Sequence, residues 1–379
     1  ADGRPSELPS QVITANPLGN ESPATPSSVL EGDELTLRQK GSLGETLNGL
    51  PGVSSTYFGP GASRPVIRGM DGDRIRLLRN GVGALDASSL SYDHAVPEDP
   101  NSVERLEVVR GPAALLYGGN AIGGVVNSFD NRIPSEPVDG IHGSGELRYG
   151  GADTTRSRSG ALEAGDGNFA LHVDAASREF NDVRIPGYAH SSRQAEAAAK
   201  EAAAKASGRH RNEEGEVVAA GDDEALPEYL YSGVRADFYG VEAQDRIHLL
   251  ESPYGNFDLE LSGDYTRAKN KDTGEPLPRI APLRLNTALI WELQQWQARV
   301  DVEHAASQHR VPEEELSTDG YTTLGASLGY NFDLGESRWL AFVKGTNLTN
   351  QTVRYASSIL RDRVPAAGRG IEAGVKVAF

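Results

Sequence analysis

From Gly140 to Phe379 the sequence alternates apolar and polar residues with a period of two. In the segments 168–180, 257–268 and 296–308, one set of alternate positions is apolar and the other carries polar or charged side chains. Each segment is roughly ten residues long and is bounded by turn-forming residues, which predicts β-strands with one apolar face. This pattern is typical of a membrane β-barrel, although a soluble β-sandwich shows similar alternation.

The composition excludes several other classes of protein. The chain has 379 residues and no apolar run of the roughly 18 residues that a transmembrane helix needs. It contains no cysteine, which excludes disulfides and thiolate metal sites. A net charge of −17 argues against binding to a nucleic-acid backbone and is compatible with cationic or metal ligands. No catalytic triad pattern, phosphate-binding loop or nucleotide fingerprint stands in a suitable context, so we do not expect an enzyme.

Residues 1–33 are rich in Pro, Ser, Asn and Gly, which predicts a flexible arm. Inside the arm lies one short β-prone segment, which consists of Gln11, Val12, Ile13, Thr14 and Ala15. An extended segment in a disordered arm suits strand addition to the sheet edge of a partner. The alternative is that this pentapeptide is an ordinary part of a tail.

Residues 34–137 have a different character, with short mixed elements and many glycines, and predict a compact α+β domain. Ser42 and Glu45 have the spacing of a capping box, which predicts a short helix over residues 42–50. Segments 74–78 and 103–109 alternate like strands, and turn signals follow each of them.

Residues 195–206 read AEAAAKEAAAKA and differ from everything around them. Each glutamate stands four residues before a lysine, which supports an isolated helix. Repeats of EAAAK are typical semi-rigid spacers. We interpret this segment as an engineered helical linker and the chain as an internally shortened version of a longer protein.

The linker separates barrel-like strands in residues 138–194 from further strands in residues 207–379. The predicted strands lie near residues 143–150, 155–164, 168–180, 229–250, 257–268, 282–294, 296–308, 321–333, 338–348 and 370–379. Three strands precede the linker and seven follow it. An even total returns the chain to the side of the membrane on which the barrel begins, so the linker joins two strand ends on the opposite side.

Several segments resemble the TonB-dependent outer-membrane receptors. These are RPVIRG (64–69), RIRLLRNG (74–81), VERLEVVRGP (103–112), AALLYG (113–118), AIGGVVN (121–127), NLTN (347–350) and the alternating C-terminus that ends on Phe379. The resemblance implies an α+β plug domain followed by antiparallel transmembrane β-barrel strands, here truncated to about ten of the roughly 22 in such transporters. No signal peptide is visible at Ala1, so we expect the mature form of a protein of the Gram-negative outer membrane.

The resemblance also implies partners and functional residues. The segment from Gln11 to Ala15 is similar to the TonB box, which pairs with TonB, and the barrel strands would contact outer-membrane lipid. Four charged residues are expected to be buried between plug and barrel, where ions need partners. They are Arg68, Arg110, Glu104 and Glu107. Ordinary solvated charges are the alternative interpretation.

The segment SYDHA (91–95) resembles the plug motif of the zinc-uptake (ZnuD-like) branch of this family. The resemblance implies that Asp93 and His94 bind zinc as the transported ligand, and both residue types are suitable zinc ligands. Glu98 and Asp99 are nearby and are expected to add oxygen ligands. The remaining ligands of that branch come from barrel segments without a counterpart here. The alternatives are a siderophore or metal-chelate receptor, or a non-transporting antigen or loop-display scaffold derived from such a receptor.

Overall fold

The computed structural model describes residues 27–84, 87–134, 137–206, 209–211, 217–219, 233–313 and 315–379. The first two of these ranges form the plug domain. Its elements are β1 (Ser27–Glu31), α1 (Gly32–Arg38), α2 (Leu43–Leu47), β2 (Val53–Ser55), β3 (Pro65–Ile67), β4 (Ile75–Arg79), β5 (Val82–Gly83), β6 (Arg105–Val109) and β7 (Gly124–Phe129). They form an α+β unit, as the sequence predicted.

The plug domain is built on a sheet with the strand order β1-β6-β7-β4-β5, in which β4 and β7 run parallel. A separate hairpin, β2–β3, packs beside it. The core between these elements includes Leu47, Ile67, Leu106 and Val126, each at most 1% exposed. This dry core holds the plug loops in place.

Two expectations for the start of this domain need correction. The predicted arm 1–33 is too long, because Ser27–Glu31 forms an edge strand paired with β6 and α1 starts at Gly32. The helix predicted after Ser42 is present, but the cap differs from a capping box. Ser42 Oγ donates to Glu45 Oε2 at 3.0 Å, and Ser63 Oγ accepts from the Glu45 N–H at 3.1 Å. The capping hydrogen bond is therefore provided by Ser63, which is distant in the sequence.

The second unit is one antiparallel sheet of ten strands. Three strands precede helix α3 (Ser192–Ala206): β8 (Asp139–Gly150), β9 (Thr155–Asp166) and β10 (Ala170–Glu179). A small hairpin, β11 (Arg209–Arg211) and β12 (Val217–Ala219), follows α3. The other seven sheet strands are β13 (Ala236–Ser252), β14 (Gly255–Asn270), β15 (Arg284–Leu293), β16 (Trp296–Ala305), β17 (Tyr321–Leu334), β18 (Ser337–Thr346) and β19 (Gly370–Ala378). The prediction of ten strands, three before the helix and seven after it, is confirmed.

The strand order is β10-β9-β8-β19-β18-β17-β16-β15-β14-β13. The first strand, β8, therefore pairs with the last, β19, as in a barrel seam. Within the described residues, β10 and β13 each have one neighbouring strand and form the two edges of the sheet. The helical segment α3 lies between these two edge strands in the sequence.

The two ends of the sheet differ in the length of their connections. Connections 167–169, 253–254, 294–295 and 335–336 are short and lie at one end, which we call the short-turn end. Connections 151–154, 271–283, 306–320 and 347–369 lie at the other, the long-loop end, as do the end of β10 and the start of β13. Short turns face the periplasm in outer-membrane barrels and long loops face outward.

Aromatic side chains cluster near the short-turn end. The ring centroids of Trp296 and Tyr330 lie 4.5 Å apart, those of Tyr330 and Phe332 5.8 Å, and those of Phe332 and Trp339 6.0 Å. Such a row is typical of the aromatic girdle at a membrane interface. In the part of the chain that the structure describes, no helix is both long and apolar enough to cross a bilayer.

Candidate functional site

The loop containing Asp93 and His94 carries the predicted metal ligands. Asp93 Oδ1 lies 2.9 Å from His94 Nδ1, and their side chains are 50% and 55% exposed. Ser91 also donates a hydrogen bond to Asp93. The hydrogen bonds from Ser91 and His94 lower the pKa of Asp93, so the carboxylate is ionised at neutral pH. One oxygen and one nitrogen ligand are thus held together on an open surface.

Glu98 and Asp99 do not join this pair, contrary to the expectation from the sequence. Glu98 accepts a hydrogen bond from Ser128 and lies 3.8 Å from Arg79 Nε. Burial raises the pKa of Glu98. Both partners belong to the plug sheet, so its strands hold this carboxylate.

Asp99 is engaged in two other contacts. It accepts from the Asn101 N–H at 2.9 Å and forms an ion pair with Arg178 of β10 at 3.0 Å. Across the described ranges, no three His, Asp or Glu side chains are grouped so as to hold a metal ion. Glu98 and Asp99 are close to the loop in the sequence, but their contacts with other elements keep them away from Asp93 and His94.

The same loop is attached to the barrel through Tyr92. The Tyr92 hydroxyl donates to Asp71 Oδ2 at 2.9 Å and accepts from Arg279, which belongs to connection 271–283. The Arg279 guanidinium lies 4.8 Å from the centroid of the Tyr92 ring, a cation–π contact. Burial, and then the nearby Asp71 charge, raise the pKa of Tyr92. Sequence reasoning missed Arg279, because no local pattern links it to a residue so distant in the chain.

Arg68 and Arg110 lie at the contact between plug and barrel. Arg68 forms two hydrogen bonds to Glu242 of β13, at 2.5 and 3.2 Å. Arg110 Nε lies 3.8 Å from the same carboxylate, and Arg110 Nη2 donates to Ser28 Oγ at 2.9 Å. Burial lowers the pKa of Arg110. One barrel carboxylate therefore faces two plug arginines.

The backbone geometry explains how Arg68 reaches the barrel. Arg68 and Gly69 have φ angles of 52° and 79°, a two-residue turn between Ile67 and Met70. A Cβ atom at Gly69 would lie 2.8 Å from Ile280 of connection 271–283. Glycine at this position lets the turn approach the barrel closely.

Glu107 is not part of this contact, which corrects the expectation for it. Glu107 is 1% exposed and pairs with Arg105 on the same strand, inside the plug domain. Glu107 lies on β6, an inner strand of the plug sheet, and its carboxylate meets Arg105 within the plug domain. The Glu104 side chain is exposed but lies near the barrel, because burial, and then the charge of Glu163 in β9, raise its pKa.

Barrel side chains also bind the plug backbone, which no sequence pattern indicated. Arg148 of β8 donates to Thr36 O at 2.9 Å and to Gln39 Oε1 at 2.6 Å. Lys344 of β18 donates to Gln39 O. These cations lie at the C-terminal end of α1, where the helix dipole favours positive charge.

The predicted TonB-binding segment, Gln11 to Ala15, lies outside the described residues.

Comparison with known proteins identifies the fold. Residues 20–125 match the TonB-dependent Receptor Plug Domain, and residues 217–348 match the TonB dependent receptor-like, beta-barrel family. Among solved structures, the copper transporter OprC aligns over 94% of this chain and 98% of its own, with a TM-score of 0.66 and 13% identity. The unliganded ferric citrate transporter FecA aligns over 94% and 97%, with a TM-score of 0.59 and 10% identity.

Curated relatives match shorter parts of the chain. The vitamin B12 transporter BtuB of Photobacterium profundum is 32% identical over 190 residues, 45% of this chain and 30% of that protein. The hemin receptor of Yersinia pestis is 30% identical over 152 residues, 40% of this chain and 21% of that protein. The matches thus span less than a third of these relatives' lengths. The chain belongs to the TonB-dependent receptors, β-barrel proteins of the Gram-negative outer membrane.

Proposed function

We propose that the protein is derived from an outer-membrane receptor for TonB-dependent uptake of a metal-containing ligand. The observation that carries the proposal is the exposed Asp93–His94 pair on a plug loop beside connection 271–283 at the long-loop end. That end faces outward in proteins of this class. A ligand arriving from outside can therefore reach this loop.

We propose zinc as the transported ion. Asp93 and His94 supply one oxygen and one nitrogen, and zinc sites usually have four ligands. Glu98 and Asp99 are bonded to other groups of the protein. Water, or atoms of a molecule transported with the zinc, would therefore complete the zinc coordination. We therefore expect weaker zinc binding than in a closed four-ligand site.

The first prediction concerns this pair. The double variant Asp93→Ala, His94→Ala should lose zinc binding in calorimetry, because both ligands are removed. Metal binding releases protons from its ligands, so zinc binding by the unchanged chain should weaken in acid. The variant His309→Ala is the control, since this exposed histidine lies on another long loop. Equal zinc binding by the double variant and the unchanged chain would refute the assignment.

A metal chelate is the second candidate ligand, and the contact between Tyr92 and Arg279 favours it. Chelates are recognised through aromatic and arginine contacts, whereas a bare ion needs side-chain ligands. Ferric citrate is a suitable probe in the same calorimeter. Binding of ferric citrate without any zinc binding would favour this second candidate.

We propose that TonB binds the segment Gln11 to Ala15 by strand addition. Replacing Ile13 with proline removes a backbone donor from the added strand and should abolish binding to the TonB C-terminal domain. Ile13→Val keeps the donor and the branched side chain, so it should bind normally. Unchanged affinity of Ile13→Pro, measured by calorimetry, would contradict strand addition at this segment.

We infer that the present chain does not itself transport. In the described residues its sheet has ten strands, and α3 carries the EAAAK repeats expected of an engineered spacer. An internally shortened receptor of this kind would display its remaining long loops, as an antigen or scaffold does.

A further inference from the structure

A cavity lies between plug and barrel at the long-loop end, apart from Asp93 and His94. Its volume is about 160 Å³, and connection 347–369 forms part of its wall. This connection is fixed on the plug by two hydrogen bonds. Ser357 Oγ donates to Ser55 O at 2.6 Å, and Ser358 Oγ donates to Tyr57 O at 2.7 Å.

Tyr57 of the plug is the unusual side chain in this cavity. It is 3% exposed, lines the cavity and packs edge-on against Tyr355, with ring centroids 6.2 Å apart. No described residue forms a hydrogen bond with its hydroxyl, although buried tyrosine hydroxyls usually have a partner. Burial, and then the charges of Glu45 and Asp153, raise the pKa of Tyr57, so its hydroxyl stays protonated.

The charges around the cavity favour a cation. Four carboxylates line it, against two ammonium groups: Glu45, Asp153, Glu303 and Glu372 against Lys40 and Lys344. Lys344 and Glu372 already form an ion pair at 3.0 Å. Among the described residues, Glu45, Asp153 and Glu303 form no ion pair and accept only hydrogen bonds from Ser42, Thr155 and Tyr321. Burial raises the pKa of Glu45, but Asp153 and Glu303 alone outnumber Lys40, so the remaining excess of charge is negative.

The type of cation follows from the shape of the wall. The carboxylates here are not grouped closely enough to hold a metal ion directly, since the described residues contain no such group. Two tyrosine rings beside carboxylates are the arrangement that recognises organic ammonium ions. A volume of about 160 Å³ suits a short amine better than a long one.

We propose that this cavity binds a small organic ammonium ion, with its carbon chain against Tyr57 and Tyr355 and its ammonium groups near Asp153 and Glu45. The ammonium also supplies the missing partner of the Tyr57 hydroxyl oxygen. This site shares no residue with the loop proposed for the metal ligand. It is therefore a second ligand site and does not depend on the proposed function.

The test uses the whole chain in detergent micelles with putrescine as the probe, measured by isothermal titration calorimetry. Asp153→Asn removes a charge and should weaken binding about tenfold or more. Tyr57→Phe keeps the ring but removes the hydroxyl and should weaken it severalfold. Glu336→Gln, an equal charge change at the short-turn end, should have no effect. Neutral 1,4-butanediol and anionic succinate should not bind.

Each contrary result has a definite meaning. Equal putrescine binding by the unchanged chain, Asp153→Asn and Tyr57→Phe would overturn the proposal, as would equal binding of butanediol or succinate. Zinc binding that Asp153→Asn abolishes would assign the cavity to a metal and also overturn it. A near-ultraviolet circular dichroism spectrum like that of the unchanged chain confirms that each variant is folded. If Asp153→Asn fails to fold, the putrescine affinity of Tyr57→Phe alone tests the proposal, because this variant keeps the packing of the ring.

Discussion

Replacing Asp264 with alanine should destabilise the protein by about 3–5 kcal/mol, because the substitution leaves a buried arginine without its counterion. Asp264 of β14 and Arg284 of β15 are 5% and 3% exposed and form two hydrogen bonds, at 3.1 and 2.8 Å. Arg284 also donates to Asn48 Oδ1 of the plug at 3.1 Å. Loss of the carboxylate therefore affects both the barrel wall and the attachment of the plug. The measurement is the free energy of unfolding in detergent, from urea titration followed by tryptophan fluorescence.

Two controls separate this effect from a general loss of contacts. The double variant Asp264→Leu, Arg284→Met removes both charges and should recover most of the lost stability, since an apolar pair of similar volume needs no counterion. Asp272→Ala breaks the exposed ion pair with Arg235 and should cost less than about 1 kcal/mol. If Asp264→Ala lowers the free energy of unfolding no more than Asp272→Ala does, water reaches the Asp264–Arg284 pair and burial does not make it important for stability.

The sheet could be predicted from the sequence because each of its strands carries a local signal. Alternation along one strand is visible without knowledge of its neighbours, and the short turns mark where strands end. The prediction for the strand after helix α3, 229–250, differs from the observed Ala236–Ser252 mainly at its start. The strand continues to Ser252, since the turn to β14 needs only Pro253 and Tyr254.

The candidate site could be predicted only in part, because its contacts join residues distant in the sequence. Arg279 meets Tyr92, and Lys344 meets the backbone of Gln39, through packing that no short segment encodes. The same limit explains the errors for Glu98 and Asp99. Their partners, Ser128 and Arg178 among them, come from other strands, and these contacts turn the carboxylates away from the loop surface.

Vesicles that carry this chain should show no TonB-energised zinc uptake, and the detergent-solubilised protein should exceed the mass of a monomer. Strands β10 and β13 are edges of the described sheet, and unpaired backbone groups are costly in lipid. Helix α3 cannot satisfy them, because its backbone groups are bonded within the helix. The edges must therefore find partners outside the chain.

Strand direction determines how two copies can associate. β10 runs towards the long-loop end and β13 runs away from it. Two copies with the same orientation in the membrane can therefore form an antiparallel pair only between β10 of one and β13 of the other. One register places Asp174 opposite Arg246 and Arg178 opposite Glu242 on the plug-facing side, which pairs opposite charges.

Two copies that pair through β10 and β13 should not form a closed dimer. Such a ring would enclose two plug domains in about twenty strands, whereas barrels of about 22 strands are filled by one plug. Heterologous contacts that do not close into a ring produce open assemblies. We therefore expect open oligomers of several different masses. Light scattering after size-exclusion chromatography in detergent measures these masses.

Disulfide cross-linking tests the register directly, because the chain has no cysteine of its own. Ala175→Cys and Asp245→Cys lie opposite each other in the proposed register, so oxidation should link copies into ladders on a gel. Ala175→Cys with Leu249→Cys is four residues out of register, roughly 13 Å, and should link poorly. A homogeneous monomer that takes up zinc in energised vesicles would show that ten strands suffice for transport, and that the interpretation of the chain as a shortened receptor is wrong.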